Sequence, residues 1–189
     1  MSHRYQQRQA VKNKSKYLDW LVQSKCGADL LAAQLFPNAK EVTESVACFE
    51  ATIHLNPGFE WNSPNVQCFV VGDGHKPRTA AVFACRTAWN VFSIDPVLAP
   101  RIYNIKRLNI FRKKIEDLKF VDLGSPVLIV LPHSHAPLDA CLANIPGAKR
   151  ALITLDCCKK QDPGPPADIE YVDENVWSPK NTVRVWQSI

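Results

Sequence analysis

The run from Pro126 to Leu131, PVLIVL, constrains this chain more than any other feature. It is almost purely aliphatic, too short for a helix, and shows no polar alternation. A strand of that character has both faces covered, as inside a parallel sheet flanked by helices. Similar strand-sized segments occur at Val66–Val71, Asn90–Ile94, Ala151–Leu155 and, more weakly, Arg107–Phe111. Helical stretches lie between them: Arg78–Thr87, with Pro77 suited to a first helical position, and Leu138–Asn144, stopped by Pro146-Gly147. Strands alternating with helices predict a parallel sheet with right-handed crossovers. The expected fold class is therefore α/β: a doubly wound, mostly parallel sheet with helices on both faces. After the Pro/Gly-rich connector Asp162–Pro166, the two halves of Tyr171–Trp186 flank Ser178-Pro179-Lys180-Asn181 and predict an antiparallel hairpin at the sheet edge.

The front of the chain reads differently. From Ser15, residues Tyr17, Leu18, Leu21, Val22, Leu30, Leu31 and Leu35 fall mostly at helical spacing as far as Pro37, with Gly27 a possible break. Asn38 is a cap candidate for a second helix reaching about Phe49. Three parts are expected: a basic arm at 1–16, a helical extension at 17–62, and the α/β domain at 63–189. Composition, 46% hydrophobic and 22% charged, excludes a disordered chain. No apolar run approaches the roughly 18–20 residues of a membrane helix, so no membrane is expected.

The net charge of +5 resides in the arm, which holds Arg4, Arg8, Lys12, Lys14 and Lys16 and no acid. It predicts a tether for RNA or another polyanion, although a solvated tail or an organelle signal uses the same residues. A second basic group, Arg101, Lys106, Arg107, Arg112, Lys113, Lys114 and Lys119, lies between the second and fourth strands. The seven cysteines are odd in number and form no Cys-x-x-Cys pair. They predict reduced, mostly buried side chains in an intracellular, most simply cytoplasmic, protein.

The sharpest constellation is Gly72-Asp73-Gly74 after the first strand, followed by Pro77-Arg78-Thr79-Ala80 opening a helix. Glycines there let the backbone turn sharply and approach a ligand, while the helix start offers free amide donors. About twenty residues on, Asp95 closes the second strand, where a carboxylate takes both hydroxyls of a ribose. A plain turn with Asp95 as a helix cap is the other reading. A dinucleotide fingerprint would place a third glycine where this chain has Pro77, which disfavours a nicotinamide-dependent oxidoreductase.

Val70-Val71-Gly72-Asp73-Gly74, Pro77-Arg78-Thr79-Ala80 and Phe92-Ser93-Ile94-Asp95-Pro96 together resemble the class I, Rossmann-like S-adenosylmethionine-dependent methyltransferases. The resemblance spans roughly Val66–Leu155 and implies S-adenosylmethionine as cofactor. It implies cofactor-binding roles for Gly72, Asp73, Gly74 and Arg78 around the glycine loop, Asp95 at the ribose, and Glu116 or Asp117 beside the adenine. The turn Leu131-Pro132-His133-Ser134-His135-Ala136 and the segment Asp156-Cys157-Cys158 also resemble a branch with a His-rich fourth-strand turn and Pro-Cys-Cys after strand five, Asp156 replacing that proline.

His133 and His135 are the expected catalytic pair, since a fourth strand ends opposite the glycine loop and histidine titrates near neutrality. Bonding of backbone carbonyls within a tight turn is the alternative. The Asn/Asp-Pro-Pro-aromatic turn of amino-methylating relatives is missing, and so is the Lys-Asp-Lys-Glu set of ribose methylators. The expected function is methyl transfer to RNA or an RNA-associated protein, with an inactive scaffold in a ribonucleoprotein or protein complex as the alternative. No metal is expected: His133, His135, Cys157 and Cys158 lack the usual zinc spacings, and neighbours on a strand point to opposite faces.

Overall fold

The computed structural model describes residues 15–122, 124–158, 161 and 163–189. The basic arm lies outside the described residues apart from Ser15 and Lys16. The protein is a mixed α/β structure with one seven-stranded, mostly parallel sheet. Its strands are β1 (Gln67–Val71), β2 (Asn90–Ile94), β3 (Leu108–Phe111), β4 (Pro126–Pro132), β5 (Lys149–Leu155), β6 (Ile169–Val172) and β7 (Thr182–Trp186). They lie in the order β3-β2-β1-β4-β5-β7-β6. The first five run parallel, and β7 is antiparallel to both β5 and β6. Strand β1 pairs with β2 on one side and β4 on the other.

The two faces of the sheet bury different partners because successive side chains on a strand alternate. Cys68 and Val70 of β1, Leu128 and Val130 of β4, and Ile153 of β5 share one core. That core is completed by helices α1 (Lys16–Gln23), α2 (Gly27–Ala32), α3 (Ala39–Glu50) and α4 (Arg78–Arg86). Phe69 and Val71, Ile129 and Leu131, and Leu152 face the other way, against Leu138, Cys141 and Ile145 of α5 (Leu138–Asn144). A 3₁₀ turn at Ile115–Asp117 adds Ile115 to this second core, and Phe69 stacks on Phe92 at 4.6 Å.

The helical stretch expected from Ser15 to Pro37 is two helices, with the break at Gly27 where the sequence offered one. Ser15 caps α1 through a 3.3 Å bond from Tyr17 N–H, and Ser24 in an extended conformation ends it. At Gly27 a side chain would collide with the Leu21 carbonyl at 1.9 Å, so the sharp junction needs glycine. Asn38 caps α3 as expected, accepting from Glu41 N–H at 3.1 Å. Helix α3 packs on α1, α4, β4 and β5, so the front helices share the core of the sheet.

Candidate functional site

A cleft of about 420 Å³ opens where the C-terminal ends of β1, β2 and β4 meet. Gly72, Asp95, Glu116, His133 and His135 all line it. Larger concavities of about 550 and 570 Å³ lie elsewhere, one beside the chain entering β3 and one along residues 55–62. The cleft lies beyond the carboxyl ends of the neighbouring parallel strands β1 and β4, where open α/β sheets hold ligands.

Gly72 and Gly74 both have left-handed backbones, φ +82° and +79°. Gly72 N–H is held by the Ile94 carbonyl at 2.8 Å, joining the glycine turn to the end of β2. A β-carbon on Gly72 would lie 2.2 Å from Ser134 Oγ and 2.7 Å from Ser134 Cβ. The glycine therefore lets the β4 turn close on the β1 turn. Gly74 N–H donates to Asp95 Oδ2 at 2.8 Å, and Val97 N–H donates to Oδ1 at 2.9 Å. These bonds orient the Asp95 carboxylate on the cleft wall and leave it further lone pairs to accept with.

Two expected cofactor residues are employed inside the protein. Asp73 is 1% exposed and accepts from Thr79 N–H at 2.9 Å, Ala80 N–H at 3.1 Å and Ser93 Oγ at 2.9 Å. It caps the start of α4 and does not face the cleft. Burial lifts its carboxyl to about 6, against the opposing pull of those backbone donors, Arg78 and Ser93. Arg78 is paired with Glu41 Oε2 at 2.9 Å, tying α4 to α3. Of the two acids in the turn after β3, Glu116 lines the cleft and Asp117 does not.

The histidines separate into different settings. His133 has φ +51°, a conformation uncommon outside glycine, and its N–H bonds the Leu155 carbonyl at 3.2 Å. Its Nε2 lies 3.0 Å from Glu44 Oε1 on α3, a close polar contact without aligned hydrogen-bond geometry at either atom. Burial of Glu44 works against its charge, but His133 and Lys40 outweigh it and hold the carboxyl below its ordinary value. His135 points its Nε2 at two thiols, Cys157 Sγ at 2.8 Å and Cys158 Sγ at 3.0 Å. The partners Glu41 and Glu44 were not assigned to the site from sequence alone. They reach it from other elements, and no local pattern links positions so far apart.

The second basic group divides as well. Lys113 and Lys114 are exposed at the cleft, whereas Arg107 donates inward to the Ala84 and Thr87 carbonyls at 3.1 and 2.7 Å. No model of a known protein family matches the chain, and no curated protein matches it with significance. Among the described residues, no helix is long and apolar enough to cross a membrane.

Proposed function

We propose that the cleft binds S-adenosylmethionine and that the protein is a methyltransferase on a doubly wound, Rossmann-like sheet. The observation that carries this reading is the Asp95 carboxylate at the end of β2, fixed by Gly74 N–H at 2.8 Å on the wall of a cleft at the β1/β4 junction. An acid there accepts from two ribose hydroxyls, and Glu116 flanks the same space. Gly72 lines the cleft and Gly74 holds Asp95 through its N–H, while Asp73 and Arg78 hold the glycine loop and the helix that follows it.

Methyl transfer is a displacement at a sulfonium carbon, so the protein must align the acceptor and remove its proton where it has one. His133 is suited to that task. Glu44 beside Nε2 favours the tautomer protonated there, which leaves the Nδ1 lone pair as base. The acceptor is RNA or an RNA-bound protein, approached over Lys113 and Lys114 with the basic arm as tether.

Calorimetric titration with S-adenosylmethionine, S-adenosylhomocysteine and NAD tests this. Binding of the first two alone is expected, and Asp95→Ala should weaken it about 100-fold, the cost of two charge-assisted hydrogen bonds. Binding of none of them would leave a Rossmann-like scaffold with a ligand-free cleft. His133→Ala should keep cofactor affinity and lower turnover by about 10²–10⁴.

A further inference from the structure

We infer that His135, Cys157 and Cys158 form a binding site for a soft divalent metal ion, and we assign it to zinc. The three donor atoms, one imidazole nitrogen and two sulfurs, all lie within 4.8 Å of one another. The two sulfurs are 3.6 Å apart, and both thiols are free. Tetrahedral zinc, with Zn–S of about 2.3 Å and Zn–N of about 2.0–2.1 Å, sets S···S near 3.8 Å and N···S near 3.5 Å. The sulfur spacing already fits. The nitrogen is about 0.6 Å too close to the sulfurs on that geometry, and the exposed His135 ring is free to swing outward by that amount.

Hydrogen bonding alone does not account for the arrangement. A neutral imidazole nitrogen carries either one proton or one lone pair and satisfies one thiol at a time. Here two sulfurs converge on the same Nε2, at 2.8 and 3.0 Å. The objection that adjacent cysteines point to opposite faces does not apply, because β5 ends at Leu155 and both cysteines lie beyond it.

Both segments that supply the ligands are held from behind. Asp156 N–H bonds the Thr182 carbonyl at 2.9 Å and its carboxylate pairs with Arg184, anchoring the chain just before Cys157. Gln161, 8% exposed, donates from Nε2 to the carbonyls of Ser134 and Ala136, both at 3.0 Å. Those carbonyls flank His135 on either side, so Gln161 fixes the backbone that carries the imidazole. Outer contacts of this kind preorganise metal ligands. Two thiolates and a neutral imidazole cancel the charge of a divalent cation, and sulfur donors select zinc over magnesium or calcium. Among the described residues the protein supplies three ligands, which leaves a fourth position for water or an incoming soft donor. His135 also lines the cleft, so the ion sits at its margin.

The test needs neither methyl donor nor acceptor, so its outcome is separable from the reading of the cleft. The full chain is reduced with a phosphine, stripped with a chelator, and titrated with cobalt(II) and then zinc. One equivalent of cobalt should bind, with thiolate-to-metal charge-transfer absorption, and one equivalent of zinc should displace it. Cys157→Ser with Cys158→Ser should abolish that band while the other cysteines remain. His135→Ala should weaken binding about 100-fold, and Gln161→Ala about 10- to 100-fold with the spectrum preserved. Thermal unfolding of the metal-free variants monitors the fold, and Cys158→Ser alone, at an exposed position, serves if the double variant does not fold. Absence of the charge-transfer band in the wild type, or its persistence in a folded cysteine variant, would overturn the assignment.

Discussion

Two aspartates close in sequence carry opposite consequences. Asp73 is buried and satisfies two backbone donors at the start of α4 as well as the Ser93 hydroxyl. Its replacement by Ala strands those donors, and a loss of about 2–3 kcal/mol in urea unfolding is expected. Asp95 lies on the cleft, and Asp95→Ala is expected to cost ligand affinity well before it costs the fold. The glycines separate in the same manner. Gly72→Ala combines a φ of +82° with a collision on Ser134, and should destabilise by about 2–4 kcal/mol. Gly74→Ala meets only the tip of the Arg78 side chain at 3.0 Å and should cost about half as much. Equal losses in denaturant unfolding would show that Ser134 yields, and that the β4 turn is not held tightly against the β1 turn.

At the scale of elements, α3 reaches the cleft. Glu44 touches His133 at 3.0 Å and Lys40 at 2.7 Å, Glu41 pairs with Arg78 at 2.9 Å, and Ser45 bonds Thr79 at 3.1 Å. Because the Glu44 carboxyl is held below its ordinary value of 4.5, its ionised form stabilises the fold. That stability is fully present above about 4.5 and is lost as pH falls through the lower folded value. Glu44→Gln should therefore cost more stability at pH 7 than in acid below the folded value, comparing wild type and variant in urea at each pH. The difference between the two proteins isolates Glu44 from Asp73, whose raised carboxyl acts in the opposite sense: its contribution declines as pH rises from 3.8 to about 6. If His133 is the base, Glu44→Gln should also lower turnover without changing cofactor affinity.

At the scale of the whole molecule, the front helices are structural members of the α/β unit. Tyr17, Leu21, Leu30, Val46 and Phe49 are buried in the same core as β1, β4, β5 and α4. Ser15 Oγ donates to the Asn175 carbonyl at 2.8 Å, and Trp177 N–H donates to Thr43 Oγ1 at 3.0 Å, so the front helices also grip the chain between β6 and β7. Removal of residues 1–62 takes α1, α2 and α3 from one face of the sheet, uncovers β4 and β5 there and leaves α4 alone on that side. The fragment 63–189 should aggregate or lack a cooperative thermal transition by circular dichroism. A cooperative, monomeric fragment would show that α4 and α5 suffice to cover the sheet.

Local chemistry made the strands and most helix limits legible. The uninterrupted apolar run at Pro126–Leu131 had to be a covered strand, Asn38 had to cap what followed, and Pro146-Gly147 had to end α5, since each rests on neighbours within a turn or a strand. The glycine turn and Asp95 were visible for the same reason: a strand ending in glycine, then an acid ending the next strand, is a pattern of short spacings. What each side chain faces was decided only in three dimensions. Asp73 looked equivalent to Asp95 until its burial beneath α4 turned it inward. Arg78 met Glu41, and His133 met Glu44, across separations that no periodicity encodes. Cys157 and Cys158 could converge on His135 only because β5 stops at Leu155, and where a strand stops depends on the partners beside it. Periodicity depends on a residue's neighbours along the chain, whereas a site is made of residues that meet only when the sheet assembles.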